Sequence, residues 1–411
     1  MKSRWIKQFL ASCALFASLY LILLIPDSVP SVPEAGEREP FTWNQDEYWS
    51  RLEARFKALR SEDCTCLSPR ILSGFAEIES LLTLLQSDTL KPEAPLFTDV
   101  EGSFFELGTL LGVCPERLMD YVKIFGLIRM AVKDQSVHWD MNSAAARDRI
   151  YRVQYGGRTA IEEVMMQSPG NRIPEAVPES DESSATPSAR ILGVTIHSGD
   201  ILVSRGGAPT SALIARGNDY PGNFSHAALA HVDSTTGKIS IIEAHIESGV
   251  VISTVEDYLE DTKLRIMVLR LRSDLPAIQS DPMLPHKAAE YARRKATTTH
   301  TPYDFAMDFR DHSKLFCSEV VSEAYEQVGI GLWMGVSYIS NRGIKSWLAM
   351  FGVENFVTQE PSDLEYDPQL RVVAEWRDHE TLYKDRADNA VVDVMLEGAE
   401  LGDQLGYDLY M

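Results

Sequence analysis

Basic residues are scarce in this chain: 39 Lys and Arg face 60 Asp and Glu, for a net charge of −21. Binding to phosphate backbones needs a basic surface. No basic run offsets the deficit, so nucleic acid is excluded as a partner. Cysteine is also sparse, with five residues in all. Their spacing lacks the second close Cys or His pair that a zinc site requires. No metal-ligand cluster is visible, and neither a metal nor a cofactor is expected. Arg205-Gly206-Gly207 has no Gly-Lys-Ser/Thr after it, which excludes a phosphate loop. Internal repeats are absent. The apolar fraction of 45% over 411 residues is that of an ordinary globular protein with room for two domains.

Only one long hydrophobic run is present, at the extreme N-terminus. Lys2, Arg4 and Lys7 precede an uncharged stretch from Phe9 to Ile25, which Pro26 and Asp27 end. The run is short for a membrane-spanning helix and long for a signal-peptide core. No clear small-x-small cleavage site follows. Residues 1–26 therefore read as a signal anchor, with a cleaved signal peptide and secretion as the alternative. The basic end faces the cytoplasm and the rest lies outside, periplasmic or extracellular. In that compartment Cys114 could pair with Cys64 or with Cys66.

Residues 27–42, rich in Pro, Glu and Ser, read as a tether. A helical domain follows over 43–166, where Ile78, Leu81, Leu82 and Leu85, and again Leu118, Tyr121, Val122 and Phe125, recur at helical spacing. It holds no polar constellation suggesting chemistry; it positions the second half or binds a partner. Residues 167–190 lose all apolar periodicity to Pro, Ser and acidic residues and read as a linker. From 191 to 360 short strands dominate: Ile201–Val203, Ser225–Val232, Lys238–Ile246, Val250–Thr254 and Leu264–Leu271. Helices over 284–296 and 317–328 follow. This pattern is α+β, an antiparallel sheet with packed helices. Residues 361–411 read as a peripheral acidic extension, with an amphipathic hint at Val391, Val392, Val394 and Met395.

Cys317 opens a half-buried helix marked by Val320, Val321, Ala324, Tyr325 and Val328. The exposed amides and dipole of a first turn favour thiolate and can lower a Cys pKa by about a unit or more. A lone Cys is more often a small core residue, so its meaning depends on its neighbours. His226 opens a strand whose small alanines leave room for a helix to approach, as a base facing a nucleophile requires. His231 has the opposite strand parity. The third member must orient the imidazole, and the next strand offers Glu243 and His245. If Asp233 pairs with Lys238 across the Ser234–Gly237 turn, His226 lies opposite His245 with Glu243 its diagonal neighbour on the same face. A carboxylate is the better orienter, because it also stabilises an imidazolium. Arg293-Arg294-Lys295 reads as a solvated helix face.

The order Gly199-Asp200-Ile201-Leu202, Phe224-Ser225-His226, Ile242-Glu243-Ala244, Pro302-Tyr303-Asp304 and Phe316-Cys317-Ser318-Glu319-Val320-Val321 resembles the permuted papain-like amidases of the YiiX/YaeF group, relatives of the NlpC-type cell-wall peptidases. The resemblance covers roughly 195–350. It implies a papain-like fold in which the base-bearing strand precedes the nucleophile helix. It further implies a catalytic triad of Cys317, His226 and Glu243, with His245 the alternative third member. Tyr303 is implied at the site, with Ser318 beside it as an oxyanion or substrate contact, and the Gly-Asp pair is implied to be structural. The expected function is thiol hydrolysis of an amide, with cell-wall peptide the natural substrate outside the cytoplasm. Two alternatives stand beside it: a lipid acyl hydrolase or acyltransferase on the same fold, and a non-enzymatic peptide-binding module. A peptide or acyl substrate, and the membrane through the N-terminal segment, are the partners expected.

Overall fold

The computed structural model describes residues 46–170 and 176–403, together with Ser18. The expected anchor over 1–26 and tether over 27–42 lie outside the described residues, Ser18 apart. Among the described residues no helix is long and apolar enough to cross a membrane.

Among the described residues six α-helices come before the sheet: α1 Glu47–Leu59, α2 Cys64–Leu85, α3 Pro95–Val113, α4 Leu118–Ser136, α5 Ala144–Tyr151 and α6 Gly157–Gln167. Their starts follow local chemistry. Asp46 accepts the Trp49 amide at 2.6 Å, Asp63 accepts the Thr65 amide at 2.8 Å, and Pro95 occupies the first turn of α3, where a missing N–H costs nothing. On α2 the buried stripe is Leu67, Ile71, Phe75, Ile78, Leu82 and Leu85, and it faces the core shared with α3 and α4. Gly157 lets α6 cross α4 closely, since a Cβ there would collide with the Phe125 ring. A disulfide joins Cys64 to Cys114, with Cα atoms 5.6 Å apart, and ties the start of α2 to the end of α3. Cys66 is exposed and free.

The remaining elements run β1 Ala176–Pro178, β2 Ser188–Ile191, β3 Val194–His197, β4 Ile201–Gly206, α7 Pro209–Arg216, β5 His226–Val232, β6 Ile239–His245, β7 Gly249–Ser253, α8 Val255–Glu260, β8 Lys263–Leu271, α9 Pro276–Ser280, α10 Leu284–Thr298, α11 Cys317–Glu326, β9 Ser337–Tyr338, α12 Arg342–Met350, β10 Val357–Thr358, α13 Asp363–Tyr366, β11 Leu370–Trp376 and α14 His379–Leu401. Seven strands form one sheet in the order β1-β11-β8-β4-β5-β6-β7, antiparallel at every pairing. One face, with Val203, Ala227, Leu229, Ile242 and Met267, packs on α10 and α11. The other, with Leu202, Ala228, Ala230, Ile241 and Val268, packs on the β2–β3 hairpin and α8. Strands covered on both faces read as apolar runs, as β8 does. The chain is thus α+β, as its texture implied.

Two stretches differ from the sequence expectation. The segment taken as a linker, 167–190, carries β1 and β2. Its acidic residues serve as partners rather than as solvated spacers: Glu179 lies 3.1 Å from Arg129, and the Glu182 carbonyl accepts Arg270 at 2.6 Å. A three-residue strand ending in proline shows no periodicity to read. The stretch taken as a peripheral acidic extension, 361–411, contributes β11 between β1 and β8, and Tyr366 and Leu382 join the helical core. Its charges misled because they are buried in pairs. Arg129 of α4 meets Glu375 of β11 at 3.0 Å, and Arg265 of β8 meets Glu162 of α6 at 2.5 Å and Asp385 of α14. Lys133 donates to the Glu365 carbonyl at 2.7 Å. The helices of the first half therefore close over a layer of charge that only the last strand and helix complete.

Candidate active site

The nucleophile candidate stands where α11 begins. The Phe316 amide donates to Glu319 Oε2 at 2.8 Å, the side-chain return bond of a helix start. The Leu315 amide donates to the Pro302 carbonyl at 3.0 Å, which holds the entering chain beside Tyr303. Val320, Val321, Ala324 and Tyr325 bury the inner face of α11 against the sheet. The Tyr325 hydroxyl reaches the Gly199 carbonyl. Gly199 itself sits at φ +99 against Pro285, where a Cβ would clash, and the next residue, Asp200, pairs in the interior with Arg270 at 2.6 and 2.8 Å. The Gly-Asp motif thus anchors the sheet to the helix layer.

The base candidate is the first residue of β5, in register with Ser204 of β4. The β5–β6 hairpin closes with the Asp233 amide on the Lys238 carbonyl at 3.0 Å, and Leu229 faces Ile242. That register brings His226, Glu243 and His245 together. His226 Nε2 lies 2.7 Å from Glu243 Oε2. The Cys317 thiol hydrogen-bonds the same imidazole. With Nε2 on the carboxylate, the ring presents Nδ1 to the sulfur. The Ala227 amide also donates to the sulfur. Glu243 Oε1 accepts the Ser253 hydroxyl from β7 and lies 3.2 Å from His245 Nε2. The His226 and His245 rings meet edge to face, with centroids 6.1 Å apart. Burial grades outward: Glu243 is 2% exposed at its side chain, His226 19% and His245 40%.

The electrostatics follow from these bonds. Burial pushes the Cys317 thiol up, but the hydrogen bond and charge of His226, with the Ala227 amide, bring it below its ordinary value. Burial pushes the His226 imidazole down, yet its bonds to Cys317 and Glu243 prevail and raise it to about 9. Burial would raise Glu243, and its bonds from His226, His245 and Ser253 hold it well below the usual carboxylate range. These shifts all run in the direction that favours thiolate, imidazolium and carboxylate in a row.

Tyr303 is half-buried, its ring 5.2 Å from that of Phe305. Burial and the nearby Cys317 charge push its phenol far above its ordinary value, so it stays a neutral donor. Ser318 follows Cys317 in the first turn of α11 and is wholly buried. Two further residues were not singled out from sequence. Ser253 fixes the far oxygen of Glu243; its strand was legible, and the β6–β7 register, with Ile241 facing Ser253, makes it a diagonal neighbour of Glu243. Glu319 is buried, and burial raises its carboxyl to about 9, so it stays neutral near Cys317.

An antiparallel sheet that offers a histidine and a carboxylate to a cysteine at a later helix start has the order of a papain-like site with its halves exchanged. Residues 195–374 match the family model of the permuted papain-like amidase enzymes, the YaeF/YiiX or C92 family. The match runs from β3 into β11 and spans His226, Glu243, Tyr303 and Cys317. Over that stretch the chain is similar to this family, and the likeness supports amide hydrolysis as a general activity. No curated protein and no solved structure matches the chain.

Proposed function

We propose that the protein is a thiol amidase in which Cys317 is the nucleophile, His226 the proton carrier and Glu243 its orienter. The observation that carries this reading is the unbroken chain of contacts from the Cys317 sulfur through His226 to Glu243 at 2.7 Å. In the reaction the thiolate attacks the amide carbonyl. The oxyanion forms against the first-turn amides of α11, which no intrahelical carbonyl can satisfy, with Tyr303 as a neutral donor nearby. His226 delivers its proton to the departing amine, leaving a thioester on Cys317. It then takes a proton from water as the acyl group leaves. Glu243 stays ionised throughout, stabilises the imidazolium and fixes which nitrogen faces sulfur.

The substrate proposed is a peptide amide outside the cytoplasm, with the protein held at the membrane by residues 1–26. The Cys64–Cys114 disulfide supports an oxidising compartment. Incubating the full chain with cell-wall peptide and following released amine tests the reading, with trapping of a thioester on Cys317 as the decisive product. Amine release with no adduct at Cys317 would remove the mechanism. A second reading, acyl transfer or hydrolysis on a lipid, is favoured by one feature. Phe305, Met350 and Phe351 are about half or more exposed, and the turn at Gly352 packs on Phe305 beside Tyr303. Release of fatty acid from phospholipid vesicles, with peptide left intact, would select that reading. A non-enzymatic binding role is disfavoured by the thiolate, which binding alone does not need.

A further inference from the structure

On the helix-packed face of the sheet, away from the thiol, three metal-ligating side chains converge. His231 near the end of β5 is 1% exposed, and its Nε2 contacts Glu290 Oε1. His286 and Glu290 stand one turn apart on α10, so they share a helix face. The His231 and His286 rings stack with centroids 5.6 Å apart. One ligand atom from each of the three residues lies within 4.8 Å of the other two. No sequence motif announces them, because β5 and α10 are far apart in the chain, so the expectation that no metal-ligand cluster exists does not hold for the folded protein.

We propose that His231, His286 and Glu290 form a binding site for a divalent transition ion, zinc foremost. Two imidazoles and one carboxylate are the ligand set of zinc sites with an open fourth position. The surroundings resemble a built coordination shell. His286 Nδ1 is engaged by the Ser198 hydroxyl at 2.8 Å, which leaves Nε2 as the donor and fixes the ring. Arg293 holds the other oxygen of Glu290 at 3.3 Å, which turns Oε1 inward. Glu290 is 41% exposed at its side chain, so an ion can enter and keep a water ligand. On binding, the cation takes the place of the hydrogen bond between His231 Nε2 and Glu290 Oε1, and the neutral His231 ring keeps its single proton on Nδ1. The bound ion would tie the strand that carries His226 to α10.

The test uses the full chain carrying Cys317→Ala, so that the catalytic thiol cannot hold zinc itself. After chelator treatment, zinc alone is titrated and followed by calorimetry and by metal content after desalting. The expected result is one equivalent retained and a rise in melting temperature. His286→Ala or Glu290→Gln in the same background should lose the retained zinc, and Ser198→Ala should weaken binding by about 10–100-fold, as loss of an orienting partner does. In the otherwise native chain, Glu290→Gln should leave amide turnover unchanged in the absence of zinc. Zinc retained equally by His286→Ala and Glu290→Gln, or no stoichiometric zinc in the Cys317→Ala chain, would overturn the proposal.

Discussion

Glu243 meets His226 Nε2 with one carboxylate oxygen at 2.7 Å and gives the other to Ser253 and His245. One carboxylate thus serves three neighbours, and only one of them touches the thiol. On the proposed mechanism Glu243 would act on His226 directly, whereas His245 would act at one remove.

Glu243→Gln is therefore expected to lower kcat by about tenfold or more while the fold survives. The thiol pKa should rise with it, seen as slower alkylation of Cys317 at about pH 6 and little change at about pH 9. His245→Asn should cost much less. A silent Glu243→Gln with a damaging His245→Asn would reverse the assignment.

Cys317→Ala should abolish turnover and leave the melting temperature close to that of the native chain, because the change is small and lies at a helix start. Cys66→Ala should be neutral in both. Cys64→Ala should leave kcat alone yet destabilise by about 2–4 kcal/mol through loss of the disulfide, read by denaturant titration.

The pH dependence follows from the paired site. On the proposed mechanism activity needs thiolate and imidazolium together, so kcat/KM should rise along an acid limb below the ordinary thiol value of about 8.5 and fall along an alkaline limb near 9, where His226 loses its proton. These limbs belong to the pair as a whole. Because the folded His226 value lies above the unfolded one, the stability this charge confers is complete below about pH 6.5 and is lost as the pH rises through about 9. A profile that only rises through about pH 8.5 would indicate a neutral thiol activated during the reaction instead.

Arg129→Ala should destabilise the whole chain by about 3–5 kcal/mol, because it strands the Glu179 carboxylate and leaves the buried Glu375 with Arg377 alone of its two arginine partners. A single cooperative transition, followed by both far-ultraviolet circular dichroism and Cys317 alkylation, should shift together. Loss of the helical signal with Cys317 still protected would show that the halves melt separately.

Membrane topology is tested by deleting residues 1–30, which should release a soluble, folded protein. Protease added outside intact cells or spheroplasts should reach the C-terminal half of the undeleted chain. Persistent protection there would refute the outside assignment.

Much of this was legible in sequence. The helices of the first half follow from stripes such as Ile78, Leu82 and Leu85, and β4 to β8 from apolar runs bounded by turn residues. The β5–β6 register could be read because its turn fixes Asp233 against Lys238, and register decides which side chains share a face. The strands in 176–191 escaped because they are too short to show a period. Strand β11 was passed over because Arg371 and Glu375 look like surface charge, and only a folded neighbour such as Arg129 reveals them as interior. The His231, His286 and Glu290 cluster was invisible for a related reason, since its geometry exists only once α10 lies on β5.

The place of β11 also sets a timetable for the enzyme. Among the described residues strand β1, from the middle of the chain, has no partner in the sheet except β11, and β8 waits for the same strand on its open side. A polypeptide still leaving a ribosome or a translocation pore can assemble its helices and the hairpins around His226, but it cannot seal the sheet until residue 376 has emerged. Truncated or stalled products would carry Cys317 on an unfinished scaffold, with an open strand edge and unpaired arginines inviting aggregation or proteolysis. Amidase activity would thus arrive only with the completed chain.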